Sequence, residues 1–302
     1  MYIKHRHRLF LWSLLYAFLV FCTLVKGALA NDQLRVSDAL PVKGVVGFAQ
    51  DTLANDWRLM QVKEVERALA TYPEVDFIVT DGKGSVALQA QQIRALAEQV
   101  DVLIISPRTE ALLSNIISDI HADGTPVILL DRGIKGDGYT SFVHGQNEAI
   151  GRQAGEFIAQ ALKGKGSVLM LEGVLGASAT TQRTAGFMAV MTQYPDILVI
   201  TRTANYLRAD SIHVIRDLLE QGIVFDALFA QSDSMAEGAR MALEQADINL
   251  ADLPIVGIDY IQAAQDALLK GHQSLSLTYP TGGKEGLSWL FAYCAVRVFP
   301  NG

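Results

Sequence analysis

The sequence predicts an α/β architecture of two similar doubly wound lobes, each a parallel sheet covered by helices, joined by a hinge. Three observations carry that reading. Short apolar runs alternate with amphipathic stretches from Val42 onward. The order strand, helix, strand runs four times to about Asp131 and four times again from about Ser167. The two passes also end alike, in Thr125-Pro126-Val127-Ile128-Leu129-Leu130-Asp131 and in Leu253-Pro254-Ile255-Val256-Gly257-Ile258-Asp259. Strands of a parallel sheet are covered on both faces, so they read as continuous apolar runs. A unit repeated in this way favours two lobes over one sheet of eight strands.

In chain order, the predicted strands are Gly44–Ala49, Asp76–Thr80, Val102–Ile105, Pro126–Leu130, Ser167–Leu171, Leu198–Arg202, Ala227–Phe229 and Pro254–Ile258. Between them, apolar residues fall at helical spacing. Val62, Val65 and Leu69 make one stripe, and Leu113, Ile116, Ile117 and Ile120 another. Gly133–Tyr139 is the Gly-rich break between the two passes, and extended Thr140–His144 follows it. A connection that short can flex without wandering, which suits a hinge. The domains expected are a leader at 1–30, a first lobe at 42–143 completed by 279–302, and a second at 144–278.

The leader has its own logic. Basic Lys4-His5-Arg6-His7-Arg8 precedes the apolar run Leu9–Val25, and Ala28-Leu29-Ala30 supplies the small residues a signal peptidase requires. The alternative is a membrane anchor, for which a run of seventeen residues is at the short limit. Cleavage and export from Asn31 on are therefore expected. Cys22 follows bulky Phe21 where a lipidated cysteine needs a small residue, so a lipid anchor is not expected.

A composition 50% hydrophobic and 19% charged is that of a globular protein. Residues 1–30 hold four cations and no acid, so their removal takes the net charge from −7 to −11. That acidity repels phosphate backbones, and no basic stripe or helix-turn-helix precedes the first strand, so nucleic acid is excluded as a partner. Cys294 is then the single cysteine left, with no internal disulfide open to it and an apolar setting that favours a buried thiol.

In open parallel sheets, ligands gather beyond the carboxyl ends of strands. Those positions here are Gln50 and Asp51, Asp81, Ser106, Asp131 and Arg132, Glu172, Gln231-Ser232-Asp233, and Asp259. Short polar residues after a strand also cap the next helix, and capping is the expected role of Ser85, Ser106 and Asp233. Capping does not explain Asp131-Arg132. A carboxylate that accepts from one hydroxyl beside a guanidinium that donates to its neighbour fits a polyhydroxyl ligand. Trp57 and Tyr206 are placed either to cover the apolar face of such a ring or to sit at a domain rim.

These residues resemble the ribose/galactofuranose group of periplasmic sugar-binding proteins, the type I substrate-binding proteins of ABC importers. The resemblance runs from about Val45 to Gly286. It rests on Val45-Val46-Gly47-Phe48 with Asp56-Trp57-Arg58; Ile105-Ser106-Pro107; Leu130-Asp131-Arg132; Gly176-Ala177-Ser178-Ala179 with Arg183 and Gly186-Phe187; Phe229-Ala230-Gln231-Ser232-Asp233-Ser234-Met235; and Gly257-Ile258-Asp259. It implies sugar contacts from Asp131 and Arg132 in the first lobe and from Arg183 and Asp259 in the second. Trp57-Arg58 and Asp81 resemble the galactofuranose branch, which implies a furanose. Asn147 matches a family Asn at the entry to the second lobe, where it contacts ligand or caps its helix.

The chain departs from the family pattern in three places. Ser232 stands where relatives carry Asn, Leu277-Thr278-Tyr279 replaces a polar residue near the last hinge, and the chain ends at Gly302 where relatives continue with a strand and helix. The function expected from the resemblance is a monomeric periplasmic receptor that binds a monosaccharide, with no cofactor or metal, and delivers it to an ABC permease. The alternative partner is a membrane sensor kinase or chemoreceptor. Arg58, Arg132 and Arg183 leave an anionic sugar open. An enzyme is not expected, because Gly176-Ala177-Ser178-Ala179 lacks the G-x-S-x-G elbow and His121, His144, His213 and His272 form no metal-binding pair. A repressor would need a DNA-reading headpiece where the leader stands.

Overall fold

The structure, a computed structural model, describes residues 43–286. The leader at 1–30, Cys294 and residues 287–302 of the expected first-lobe completion lie outside the described residues. The first sheet contains β1 (Gly44–Gln50), β2 (Val75–Asp81), β3 (Val102–Ser106), β4 (Val127–Leu130) and β5 (Ser141–Val143). They are parallel, in the order β2-β1-β3-β4-β5. Helices α1 (Asp56–Leu69), α2 (Val86–Ala97) and α3 (Glu110–Ala122) connect them, and α4 (Asn147–Ala161) follows β5.

The second sheet repeats the plan. Its strands are β6 (Gly166–Glu172), β7 (Ile197–Thr203), β8 (Ala227–Ala230), β9 (Ile255–Asp259) and β10 (Leu275–Thr278). Read in the order β7-β6-β8-β9-β10, the sheet has the topology of the first. Its helices are α5 (Ser178–Met191), α6 (Arg208–Glu220), α7 (Asp233–Gln245) and α8 (Gln262–Lys270).

Successive side chains of a strand point to opposite faces, and both faces here are filled. In β3, Val102 and Ile104 join Val62, Val65 and Leu69 of α1, while Leu103 and Ile105 join Leu113, Ile116 and Ile117 of α3. In β6, Leu169 and Leu171 face one core, and Val168 and Met170 the other. Burying each of these aliphatic side chains contributes about 1.5–3 kcal/mol before entropy is counted.

The eight predicted strands are present, β5 falls within the expected extended Thr140–His144, and β10 was missed. The edge strands β5 and β10 are short and only partly buried. They therefore lack the continuous apolar run that marks a central strand. Leu275-Ser276-Leu277-Thr278 is instead an alternation, the pattern of a strand with one covered face. The hinge expectation for Gly133–Tyr139 is also corrected. That segment links β4 to β5 within one sheet, and the Lys135 amide is tied to Ser114 Oγ of α3 at 2.8 Å. The chain passes from the first sheet to the second through 144–146 and returns beyond β10.

The two layers touch directly. The Glu110 amide donates to the Gly176 carbonyl at 2.8 Å, and the Gly133 amide to Ser178 Oγ at 2.9 Å. Arg208 of α6 pairs with Asp56 of α1 at 2.8 Å and with Glu237 of its own lobe. No helix among the described residues is long and apolar enough to cross a membrane.

Candidate functional site

The carboxyl ends of the two sheets face one cavity. Asn55, Trp57, Arg58 and Asp131 line it from the first lobe, and Ala179, Arg183, Tyr206, Ser232 and Asp259 from the second, with Tyr279 where the chain returns. Asp131, Tyr206 and Asp259 have φ of 67°, 63° and 112°. Left-handed backbone at a bulky Tyr is uncommon and costs about 1–3 kcal/mol, and such residues cluster at ligand sites.

The first-lobe wall is an ion network. Arg58 is reached from α1, whose N-cap is Asn55, accepting from the Arg58 amide. Its guanidinium meets Asp131 Oδ2 at 2.7 Å, Asp51 Oδ1 at 3.2 Å, Ser106 Oγ at 2.6 Å and Gln50 Oε1 at 3.2 Å. Asp51 also takes Arg132 Nη1 at 2.8 Å. Burial would raise the Asp131 carboxyl, but Arg58, Arg132 and Arg183 outweigh it and hold the group below the ordinary carboxylate range.

The second-lobe wall is less satisfied. Arg183 of α5 donates from Nε to Asn147 Oδ1 at 2.9 Å and from Nη1 to the Gln231 carbonyl at 2.6 Å, which leaves Nη2 without a hydrogen bond among the described residues. Its guanidinium lies 4.5 Å from the centre of the Tyr279 ring and 5.8 Å from that of Tyr206. No hydrogen bond among the described residues reaches the Asp259 carboxylate. Burial pushes that carboxyl well above its ordinary range, opposed by Arg183.

Of the twelve residues singled out from sequence, Trp57, Arg58, Asp131, Arg183, Tyr206, Ser232 and Asp259 line the cavity. Five do not. Asp51 is fully buried beneath Arg58 and Arg132. Arg132 is itself buried, 5.3 Å from the centre of the Tyr206 ring. Asn147 orients Arg183. Asp81 accepts from the Leu53 and Lys83 amides and shapes the neighbouring loops. Asp233 accepts from the Tyr260 amide, Ser276 Oγ and Gln273 Nε2, and burial pushes it up to about 6.

The cap assignments divide as well. Ser85 caps α2, but Ser106 holds Arg58 and Ser232, rather than Asp233, caps α7. Sequence reasoning missed Asn55, Ala179 and Tyr279. Asn55 had a cap signal ahead of Asp56-Trp57. Tyr279 was hidden because β10 was not recognised as a strand. Ala179 carries no chemistry to signal.

The comparisons with known proteins place this arrangement. Residues 46–292 match the model described as "Periplasmic binding protein domain". The chain belongs to the periplasmic binding protein family.

Within the family, the chain is 32% identical over 216 residues to the ribose import binding protein of Bacillus subtilis, covering 71% of this chain and 69% of that one. It is 29% identical over 216 residues to the xylitol-binding protein of Mycolicibacterium smegmatis, covering 70% of this chain and 61% of that protein's length, less than two thirds. The fructose binding periplasmic domain of a hybrid two component system superposes with a TM-score of 0.77 at 30% identity, covering 85% and 86% of the two chains. The arabinose ABC transporter component of Shewanella sp. ANA-3, bound to L-arabinofuranose, superposes with a TM-score of 0.77 at 25% identity, covering 83% and 86%. These relatives are binding proteins rather than enzymes, and the family's location is periplasmic.

Proposed function

We propose that the protein is a solute receptor that binds one monosaccharide, as a furanose, between its lobes and delivers it to an ABC permease. The observation that carries this reading is the convergence of Arg58 and Asp131 from one lobe with Arg183 and Asp259 from the other on a single cavity. A sugar hydroxyl is both donor and acceptor. It can donate to the free Asp259 carboxylate and accept from Arg183 Nη2, forming charge-assisted bonds. Trp57 and Tyr206 cover the apolar ring face. The furanose is supported by the arabinofuranose-bound neighbour.

In this mechanism the lobes 42–143 with 279–302 and 144–278 rotate about the crossings at 144–146 and beyond β10. Ligand that contacts both lobes shifts the population toward the closed form. A micromolar affinity needs only about 8 kcal/mol net. The chain acts as a monomer, exported by cleavage after Ala30, which N-terminal sequencing of the secreted protein tests.

Isothermal titration against ribose, arabinose, fructose, galactose and xylitol is expected to give one-to-one binding of at least one. Silence across that panel ends the receptor reading. The fructose-binding sensor domain supports a second output, presentation of the liganded form to a membrane kinase. Deletion of the gene separates the two. Loss of sugar uptake marks transport, and intact uptake with loss of sugar-induced transcription marks sensing.

A further inference from the structure

We propose that Tyr279 is a positioning residue that ties the ligand-facing carboxylate Asp131 to the interlobe hinge. The inference rests on the receptor reading above. Tyr279 follows β10 directly, where the chain leaves the second sheet, and it is buried at 4% exposure. Four separate parts of the fold meet on it. Its hydroxyl donates to Asp131 Oδ1 of the first lobe at 2.9 Å and accepts from the Gly145 amide at 3.2 Å. Gly145 belongs to the other crossing. The Tyr279 carbonyl accepts from Trp57 Nε1 at 3.0 Å, and the Tyr279 ring carries Arg183 of the second lobe.

One phenol therefore joins both crossings to one residue from each wall of the cavity. The remaining Asp131 oxygen, Oδ2, is already taken by Arg58. Any ligand hydroxyl reaching Oδ1 must share it with Tyr279, so occupation of the cavity is felt at Gly145. Burial and the adjoining Asp131 carboxylate push the phenol above its ordinary range and keep it a donor. The contact with Gly145 is close. A Cβ there would lie 2.2 Å from Tyr279 Cε2, so only glycine admits the ring.

The test is small-angle scattering of the ligand-free protein, joined to stopped-flow binding of D-ribose and L-arabinose. Tyr279→Phe keeps the ring and its packing on Arg183 and removes only the hydroxyl. It is expected to enlarge the ligand-free radius of gyration and to raise the dissociation rate about tenfold with little change in association. A role in stability alone lowers the melting temperature and leaves both readings unchanged, which overturns the proposal. Gly145→Ala, whose Cβ pushes the Tyr279 ring off Gly145 while keeping its hydroxyl, is expected to open the protein similarly. The Gly145→Ala/Tyr279→Phe double variant should open no further than either single variant, because both break one link. Additive opening would instead mean independent steric damage and would also overturn it. A wild type that binds neither sugar nor any other of the panel, yet opens on Tyr279→Phe, defeats the receptor reading and upholds the hinge role.

Discussion

Asp131 and Asp259 occupy matching places in the two lobes and have opposite electrostatic characters. Each stands at the carboxyl end of the fourth strand of its lobe, each has positive φ, and each ends a Pro-led apolar run. Asp131 is surrounded by Arg58, Arg132 and the Tyr279 hydroxyl, and its carboxyl is held low. The Asp259 carboxylate has no hydrogen bond among the described residues, and burial drives it up. The same topology can thus present one wall that is complete before ligand arrives and another that is completed by ligand. The complete wall is rigid, since each buried charge in it is needed by another. In the proposed mechanism, the incomplete wall supplies the differential affinity that closes the lobes.

The largest effect that tests this contrast is on stability. Asp131→Ala takes one of the two carboxylates paired with buried Arg58, leaving Asp51, and is expected to cost about 3 kcal/mol in urea unfolding. Asp259→Ala removes a costly carboxylate and should lose nothing. Equal losses would erase the distinction. Their pH behaviour should be opposite too. The contribution of Asp131 is present above the ordinary carboxylate range and lost as pH falls through its lowered folded value. That of Asp259 is present in acid and lost as pH rises through its raised one.

Asp233 sharpens the comparison, because its charge is among those raising Asp259. Its own carboxyl, pushed up to about 6, keeps in the folded state a proton that the unfolded chain releases near its ordinary value. Stability should therefore fall by about 3 kcal/mol as pH rises from about 4 to about 6. Urea unfolding of Asp233→Asn across that window should show a shallower decline, the Asp259 part remaining, and an unchanged slope would reject the assignment.

Arg183→Ala takes the free donor from the second wall. Titration with the wild-type ligand should show affinity weakened by about 1.5–3 kcal/mol, the worth of a charged hydrogen bond. Unchanged affinity in a folded variant removes Arg183 from the site. The smallest effect is expected at Ser85, which caps α2 far from this chemistry. Ser85→Ala should cost about 1 kcal/mol of stability and leave the titration unaltered.

Central strands were legible because burial on two faces forces apolar runs such as Val102-Leu103-Ile104-Ile105. The strand β10 was not, since Leu275-Ser276-Leu277-Thr278 is short and alternates instead of forming such a run. Asp131, Arg183 and Asp259 could be named from their place after strands and from the family resemblance. Their division into satisfied and unsatisfied groups could not.

The sequence by itself determined two parallel lobes and the polar residues at their strand ends, because periodicity and strand-end position are local properties of the chain. Only the tertiary structure decided that Asp51 and Arg132 sit behind the wall, that Tyr279 reaches Asp131 from 148 residues away, and that the Asp259 carboxylate has no hydrogen-bond partner among the described residues. Hydrogen bonds and burial depend on which distant groups meet, and that is fixed when the two sheets face one another.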